Sequence, residues 1–184
     1  MFYRMKVAGL ERDLPICKVT DQLYIAGFVI FGDQELTVAC GRELLKKAPQ
    51  YDYIITAEAK GIPLAHEMAR QAGDAKYILA RKAPKLYMTG VFSATVHSIT
   101  TAKEQTLYLD GADAKLMKGK KILIVDDVIS TGESLSALEI LVEKAGGIIC
   151  GRMAILAEGE AQDRADLTYL EKLPLFHPDG TIME

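Results

Sequence analysis

Residues 122–135 read ILIVDDVISTGESL. Ile122–Val125 has the unbroken apolarity of a strand covered on both faces, as in a parallel sheet, and two acids, Asp126 and Asp127, stand where the next apolar residue belongs. From Ser130 a helix is expected: Leu135, Leu138, Leu141, Val142 and Ala145 share one face, Ser130 and Glu133 have capping-box spacing, and Gly146-Gly147 ends it. IICGRMAILA, residues 148–157, then reads as another strand, so the order is β-α-β. That order implies parallel strands, and in open α/β sheets ligands bind outside the strands' carboxyl ends, where the two acids lie.

Ionised carboxylates accept hydrogen bonds and donate none, so two in a row suit a polyhydroxylated group such as a ribose diol and repel phosphate. The residues that follow have the opposite preference. Ser130, Thr131, Gly132, Glu133 and Ser134 combine hydroxyl donors with backbone amides at a helix N-terminus, where an anion is stabilised. Sugar and phosphate are therefore expected side by side, with Gly132 allowing close backbone approach. No Walker Gly-x-x-x-x-Gly-Lys-Ser/Thr stretch exists in the chain.

Upstream, Leu36, Ala39, Cys40, Leu44 and Leu45 recur at helical spacing and Pro49 stops them. YDYIITA (51–57) reads as a strand, Gly61 and Pro63 mark a turn into a helix over IPLAHEMARQAG (62–73), and AKYILA (75–80) reads as a second strand. Residues 81–103 have weak periodicity and many small or hydroxyl side chains, the pattern of a mobile loop flanked by extended arms. TLYLDG (106–111) is expected as a strand and LMKGKK (116–121) as a turn.

The chain has 184 residues, enough for one domain with a sizeable core. Its 49% hydrophobic and 26% charged residues exclude a disordered or fibrous class. A net charge of -3 gives no general pull toward nucleic acid or an anionic membrane, so any anion site must be local. Cys17, Cys40 and Cys150 are odd in number and lack Cys-x-x-Cys spacing, which indicates neither disulfides nor zinc and points to a reducing cytoplasm. The first residues lack a signal-peptide core, and no apolar run nears the ~18 residues of a membrane span.

ILIVDDVISTGES resembles the phosphoribosyl-pyrophosphate (PRPP) signature of the type I phosphoribosyltransferases. Glu58-Ala59-Lys60-Gly61, after YIIT, is similar to that family's pyrophosphate loop, and Arg81-Lys82, with Lys85 nearby, to its basic pair. Read alone, a Lys-Gly turn or a basic dipeptide at a strand end is more often a turn or a solvated pair; their order relative to the acidic motif is what raises both. The resemblance spans residues 51–156 and is weakest at the N-terminus. It implies a Rossmann-like α/β fold with a mostly parallel central sheet flanked by helices, a flexible loop, and a single domain over residues 1–184 in which 1–50 and 157–184 build a small hood.

The resemblance also implies roles. Asp126, Asp127, Arg81 and Lys82 would be catalytic; Asp126, Asp127 and the 130–134 stretch would hold ribose 5-phosphate; Glu58, Ala59, Lys60, Gly61, Arg81, Lys82 and Lys85 would hold pyrophosphate. Tyr24, Ile25, Leu156 and Glu158 are the base-binding candidates, although Tyr24 beside IAGFVIF reads better as core packing. Mg²⁺ would arrive on PRPP with no protein side chain as ligand, the partners would be PRPP and a purine base, and the assembly a homodimer. ARK (80–82) and ATVHSIT (94–100) are similar to the xanthine enzymes. Glu158 stands near their lysine, where a carboxylate would accept from an exocyclic amine and favour adenine, with xanthine next; read from the residue alone it is equally a surface acid.

The chain departs from the adenine enzymes at the end of the flexible loop, where Ile99-Thr100-Thr101-Ala102 replaces the usual Leu-Glu-Tyr-Gly and leaves Glu104 as the nearest acid. The alternatives are a PRPP-sensing regulator that does not catalyse and an orotate-type pyrimidine enzyme. With only about fifty residues ahead of the first β-α-β unit, no helix-turn-helix pattern and an acidic balance, the regulator is disfavoured.

Overall fold

The computed structural model describes residues 1–97 and 104–183. The chain opens with a hairpin of β1 (Phe2–Val7) and β2 (Leu10–Lys18), turned by Ala8 and Gly9, both at positive φ as a two-residue hairpin turn requires. β3 (Tyr24–Ala26) adds to β2, and α1 (Gln34–Leu45) follows. Asp33 caps α1 by accepting from the Leu36 amide at 3.0 Å and also pairs with Arg12 of β2 at 2.6 Å. Next come β4 (Tyr53–Ala57), α2 (Gly61–Ala72) and β5 (Ile78–Ala80). An antiparallel ribbon of β6 (Phe92–His97) and β7 (Glu104–Leu109) leads to α3 (Gly111–Met117), β8 (Lys121–Ile129), α4 (Glu133–Lys144), β9 (Ile148–Glu158), β10 (Thr168–Leu173) and β11 (Leu175–Phe176).

The main sheet has the order β10-β9-β8-β4-β5, every pair parallel, with β8 at its centre. Alternation along β8 explains its continuous apolarity. Ile122 and Ile124 pack on one face with Leu138 and Leu141 of α4 and Leu107 of β7; Leu123 and Val125 pack on the other with Leu36 and Leu44 of α1 and Leu64 and Met68 of α2. Each such side chain contributes roughly 1.5–3 kcal/mol by leaving water.

A second sheet, β1-β2-β3-β11, forms the hood. It uses Phe2–Ala26 and Leu175–Phe176, whereas α1 packs with α2, and β10 and the end of β9 belong to the main sheet. No helix among the described residues is long and apolar enough to cross a membrane. Cys17 is exposed, Cys150 half-buried and Cys40 buried, and burial pushes the Cys40 thiol up to about 12.

The 81–103 stretch has an expected extended arm in β6, residues 92–97, with turns and irregular backbone over 82–91; residues 98–103, including Ile99–Ala102, lie outside the described residues. Two expectations need correction. LMKGKK is not all turn: α3 runs to Met117, started by Asp110, whose carboxylate accepts from the Ala112 amide. The Ser130/Glu133 capping box does not form, because α4 begins at Glu133 with Gly132 as its cap at φ 78° and no side-chain cap bond.

Candidate functional site

β4 pairs with β8 as far as Ile55↔Ile124, while β9 pairs with β8 out to Ile129↔Ala157. Past Val125, therefore, β8 has a strand on one side only. The gap is taken by the turn between β4 and α2, and Asp126 and Asp127 face it from within the strand. A Cβ on Gly61 would lie 2.1 Å from Thr56 Oγ1 and 2.8 Å from Asp126 Oδ1, so only glycine fits at the start of α2.

Asp127 is 3% exposed. Its amide donates to Asp126 Oδ1 at 2.9 Å, and Lys60 Nζ lies 3.3 Å from Asp127 Oδ2. That pair lacks hydrogen-bond geometry, so Asp127 Oδ2 and the neighbouring Thr56 Oγ1 are buried without a hydrogen bond. Burial first, and the Asp127 charge second, push the Asp126 carboxyl above the ordinary carboxylate range. Two adjacent carboxylates with one half-exposed ammonium nearby leave acceptor capacity for hydroxyl donors or a cation.

The basic residues converge on the same turn. Glu58 accepts from the Lys82 amide at 2.9 Å and pairs with Arg81 at 3.2 Å; the Lys82 amide, then the charges of Arg81, Lys85 and Lys82, hold its carboxyl below the usual range. The Glu58–Ala59 peptide is cis. Arg81 is tied to β7 by paired backbone bonds with Tyr108, both 2.8 Å, and its Nη1 donates to the Tyr87 hydroxyl at 3.2 Å. Lys60, Arg81, Lys82 and Lys85 thus form a cationic edge beside the acidic pair.

At the other end, the uncapped start of α4 opens on a polar recess of about 100 Å³ lined by Asp126 and the 128–135 stretch, which includes Ser130, Thr131, Gly132, Glu133 and Ser134. Gln105 of β7 completes its wall and binds Ser134. Sequence reasoning did not single out Gln105; nothing in its local pattern marks it, because only the ribbon brings it to α4.

Between hood and main sheet lies a cavity of about 690 Å³. Val19, Leu23, Ile25 and Leu175 give apolar walls, Val96 comes from the ribbon, and Ser130, Thr131 and Glu158 line the side toward the acidic pair. Because Ser130 and Thr131 line both chambers, the two share a wall. Burial raises the Glu158 carboxyl, with Lys60 opposing. Of the four base-binding candidates, Ile25 and Glu158 line this cavity. Leu156 does not: it is 0% exposed, its side chain on the core face of β9, which corrects its assignment. Tyr24 pairs with Phe176 and packs against the core. A groove of about 740 Å³ between α3 and the end of α4 holds none of the residues discussed for this site. Among the described residues no three His, Cys, Asp or Glu side chains converge as a metal site.

Compared with known families, residues 32–173 match the phosphoribosyl transferase domain. A hypoxanthine/guanine phosphoribosyltransferase of Methanococcus voltae is 32% identical over 138 residues, which cover 75% of this chain and 70% of that one. The protein of the same description from Methanothermococcus okinawensis is 38% identical over 112 residues, 61% of this chain and 57% of its own length, so the match spans little more than half of that relative. Among solved structures, an adenine phosphoribosyltransferase from Thermoanaerobacter pseudethanolicus aligns with a TM-score of 0.63 at 24% identity, covering 76% of this chain and 83% of that one. One from Giardia lamblia, complexed with 9-deazaadenine, aligns with a TM-score of 0.62 at 19% identity, covering 94% and 93%. These structural likenesses concern the fold.

Proposed function

The chain belongs to the phosphoribosyl transferase domain family, a class of pentosyl-transferring enzymes, and we infer that it transfers the 5-phosphoribosyl group of PRPP to a purine base, giving the nucleoside 5′-monophosphate and pyrophosphate. The observation that carries this reading is the Asp126-Asp127 pair, Asp127 buried and Asp126 partly so, on a strand that leads to a helix N-terminus with no side-chain cap. Hydroxyl-accepting and anion-accepting groups stand next to each other there, as a ribose phosphate requires.

In this reading the ribose hydroxyls donate to Asp126 and Asp127, and the 5′-phosphate lies in the recess against the α4 amides and the Thr131 and Ser134 hydroxyls. The C1′–O bond to pyrophosphate breaks, a C1′–N bond to the base forms through an oxocarbenium-like state, and the proton of the base nitrogen passes to the departing pyrophosphate. Lys60, Arg81, Lys82 and Lys85 stabilise the charge that gathers on pyrophosphate. A Mg²⁺ ion would arrive on PRPP with no protein side chain as its ligand, and the carboxylates of Asp126 and Asp127 beside the site would tolerate its charge. When bound, the ion neutralises charge on the leaving group.

The base occupies the cavity beneath the hood. Glu158 accepts from an exocyclic amine, which favours adenine; xanthine stands next on the likeness of residues 80–82 and 94–100 to the xanthine enzymes. A second reading, hypoxanthine or guanine, is favoured by what the archaeal relatives are called. The assembly is proposed as a homodimer and the compartment as cytoplasm, checked by light scattering and by fractionation.

The test is pyrophosphate release from PRPP and Mg²⁺ with adenine, xanthine, hypoxanthine, guanine and orotate offered in turn. Turnover is expected with a purine, and Asp126→Ala with Asp127→Ala should lower it at least about a hundredfold. PRPP binding without turnover on any base would refute the transferase reading in favour of a sensor. Glu158→Lys should shift preference from amino- to oxo-purines by about tenfold or more; an unchanged preference would remove Glu158 from base recognition.

A further inference from the structure

Val96 and Gln105 face each other across the β6–β7 ribbon, and residues directly opposite in an antiparallel pair project to the same side. Val96 lines the cavity beneath the hood, whereas Gln105 lines the recess at the start of α4. One rung of the ribbon therefore belongs to both chambers.

The Gln105 amide grips Ser134. Its Nε2 donates to Ser134 Oγ at 2.8 Å, and its Oε1 lies 3.2 Å from the same hydroxyl. A serine hydroxyl has one proton and two lone pairs. When Oγ accepts from Nε2, its proton is free to point into the recess; when Oγ donates to Oε1, that proton is withdrawn. The amide thus sets where the proton goes, and it does so without adding charge to a recess already bounded by Asp126.

We infer that Gln105 is a positioning residue for the phosphate-bearing end of the substrate, holding Ser134 Oγ as an acceptor so that its proton is presented to the anion. The inference rests on the PRPP reading and adds a residue of the ribbon to it. Glutamate is the informative replacement, since it keeps the shape of glutamine, removes the donor and adds a negative charge.

The experiment is a pair of calorimetric titrations, with ribose 5-phosphate and with inorganic pyrophosphate, on the full chain. Gln105→Glu should weaken ribose 5-phosphate by about tenfold or more and leave pyrophosphate within about twofold; Gln105→Ala should fall between. In turnover assays the KM for PRPP should rise while kcat at saturation is kept. In a Ser134→Ala background the Gln105→Ala effect should shrink, since its partner is gone. Thr95→Ala removes the neighbouring contact with Thr106 on the exposed side of the ribbon without touching the amide, and should leave ribose 5-phosphate binding unchanged. Wild-type affinity in Gln105→Glu, an equal loss in Thr95→Ala, or full additivity with Ser134→Ala would each overturn the inference. If the wild-type protein binds neither ribose 5-phosphate nor PRPP, the PRPP reading itself fails; if it binds both and Gln105→Glu changes nothing, only the role of Gln105 falls.

Discussion

In the proposed site, Asp126 would meet two demands that oppose each other. Its position inside β8 buries the carboxyl against Asp127, while a sugar-binding role needs that carboxyl ionised. Because the folded protein holds the Asp126 proton more tightly than the unfolded chain does, stability falls as pH rises from the ordinary carboxylate value through the raised one. Asp126→Asn removes the charge and keeps an oxygen to accept from the Asp127 amide. At pH 7.5 the variant is expected to be more stable than wild type by roughly 1–3 kcal/mol while losing turnover, and the gap should close in acid. Urea melts across pH check this, and parallel profiles for the two proteins would refute it. The acids were legible in the sequence because two polar residues interrupting an apolar strand have few other uses. Gln105 was not, since its neighbours in space are far away in sequence, and Leu156 was misassigned because the cavity begins only at Glu158, at the carboxyl end of β9, and two residues back along the strand the side chain is already in the core.

At the scale of elements, α1 shows how the hood is fastened. Asp33 accepts from the Leu36 amide and binds the Arg12 guanidinium of β2, and that guanidinium, ahead of the amide, holds its carboxyl below the usual range. Asp33→Ala loses the cap and the tie together and should lower stability by roughly 1–2 kcal/mol, with turnover at saturating substrate retained. The Asp33 contribution is present above the ordinary carboxylate value and lost as pH falls through the lowered one, so wild type and variant should converge in acid; an equal gap at every pH would contradict the cap-and-tie account. The long helices and buried strands were legible because their periodicity is set by burial. α3 escaped because it has seven residues, too few for a repeating apolar face, and only Asp110 as a start signal. The expected capping box failed for a different reason. Gly132 takes a positive φ that ends the loop one step before the helix, which leaves the first amides of α4 facing the recess instead of a serine side chain.

For the whole molecule, the two sheets divide the work. The main sheet carries the acidic pair and the cationic edge, and the hood supplies the apolar walls of the neighbouring cavity. Leu175 of β11 is one such wall, so Leu175→Ala should raise the KM for the base by about tenfold and leave the KM for PRPP unchanged. Equal effects on both substrates would mean that hood and main sheet act as one surface. This division was only partly legible: the β-α-β units were plain from their order, but that β10 joins the main sheet while β11, two residues further on, joins the hood depends on long-range pairing that no local pattern encodes.

The uneven burial of the cysteines offers a way to watch the hood. Reagents that attack thiolates will meet Cys17 first, since Cys40 is sealed in the core with its thiol raised and the Cys150 thiol is also raised by burial. Cys17 lies two residues before Val19, on the rim of the cavity. A single dye attached there becomes an optical gauge of what enters beneath the hood, read in real time and without any reaction taking place.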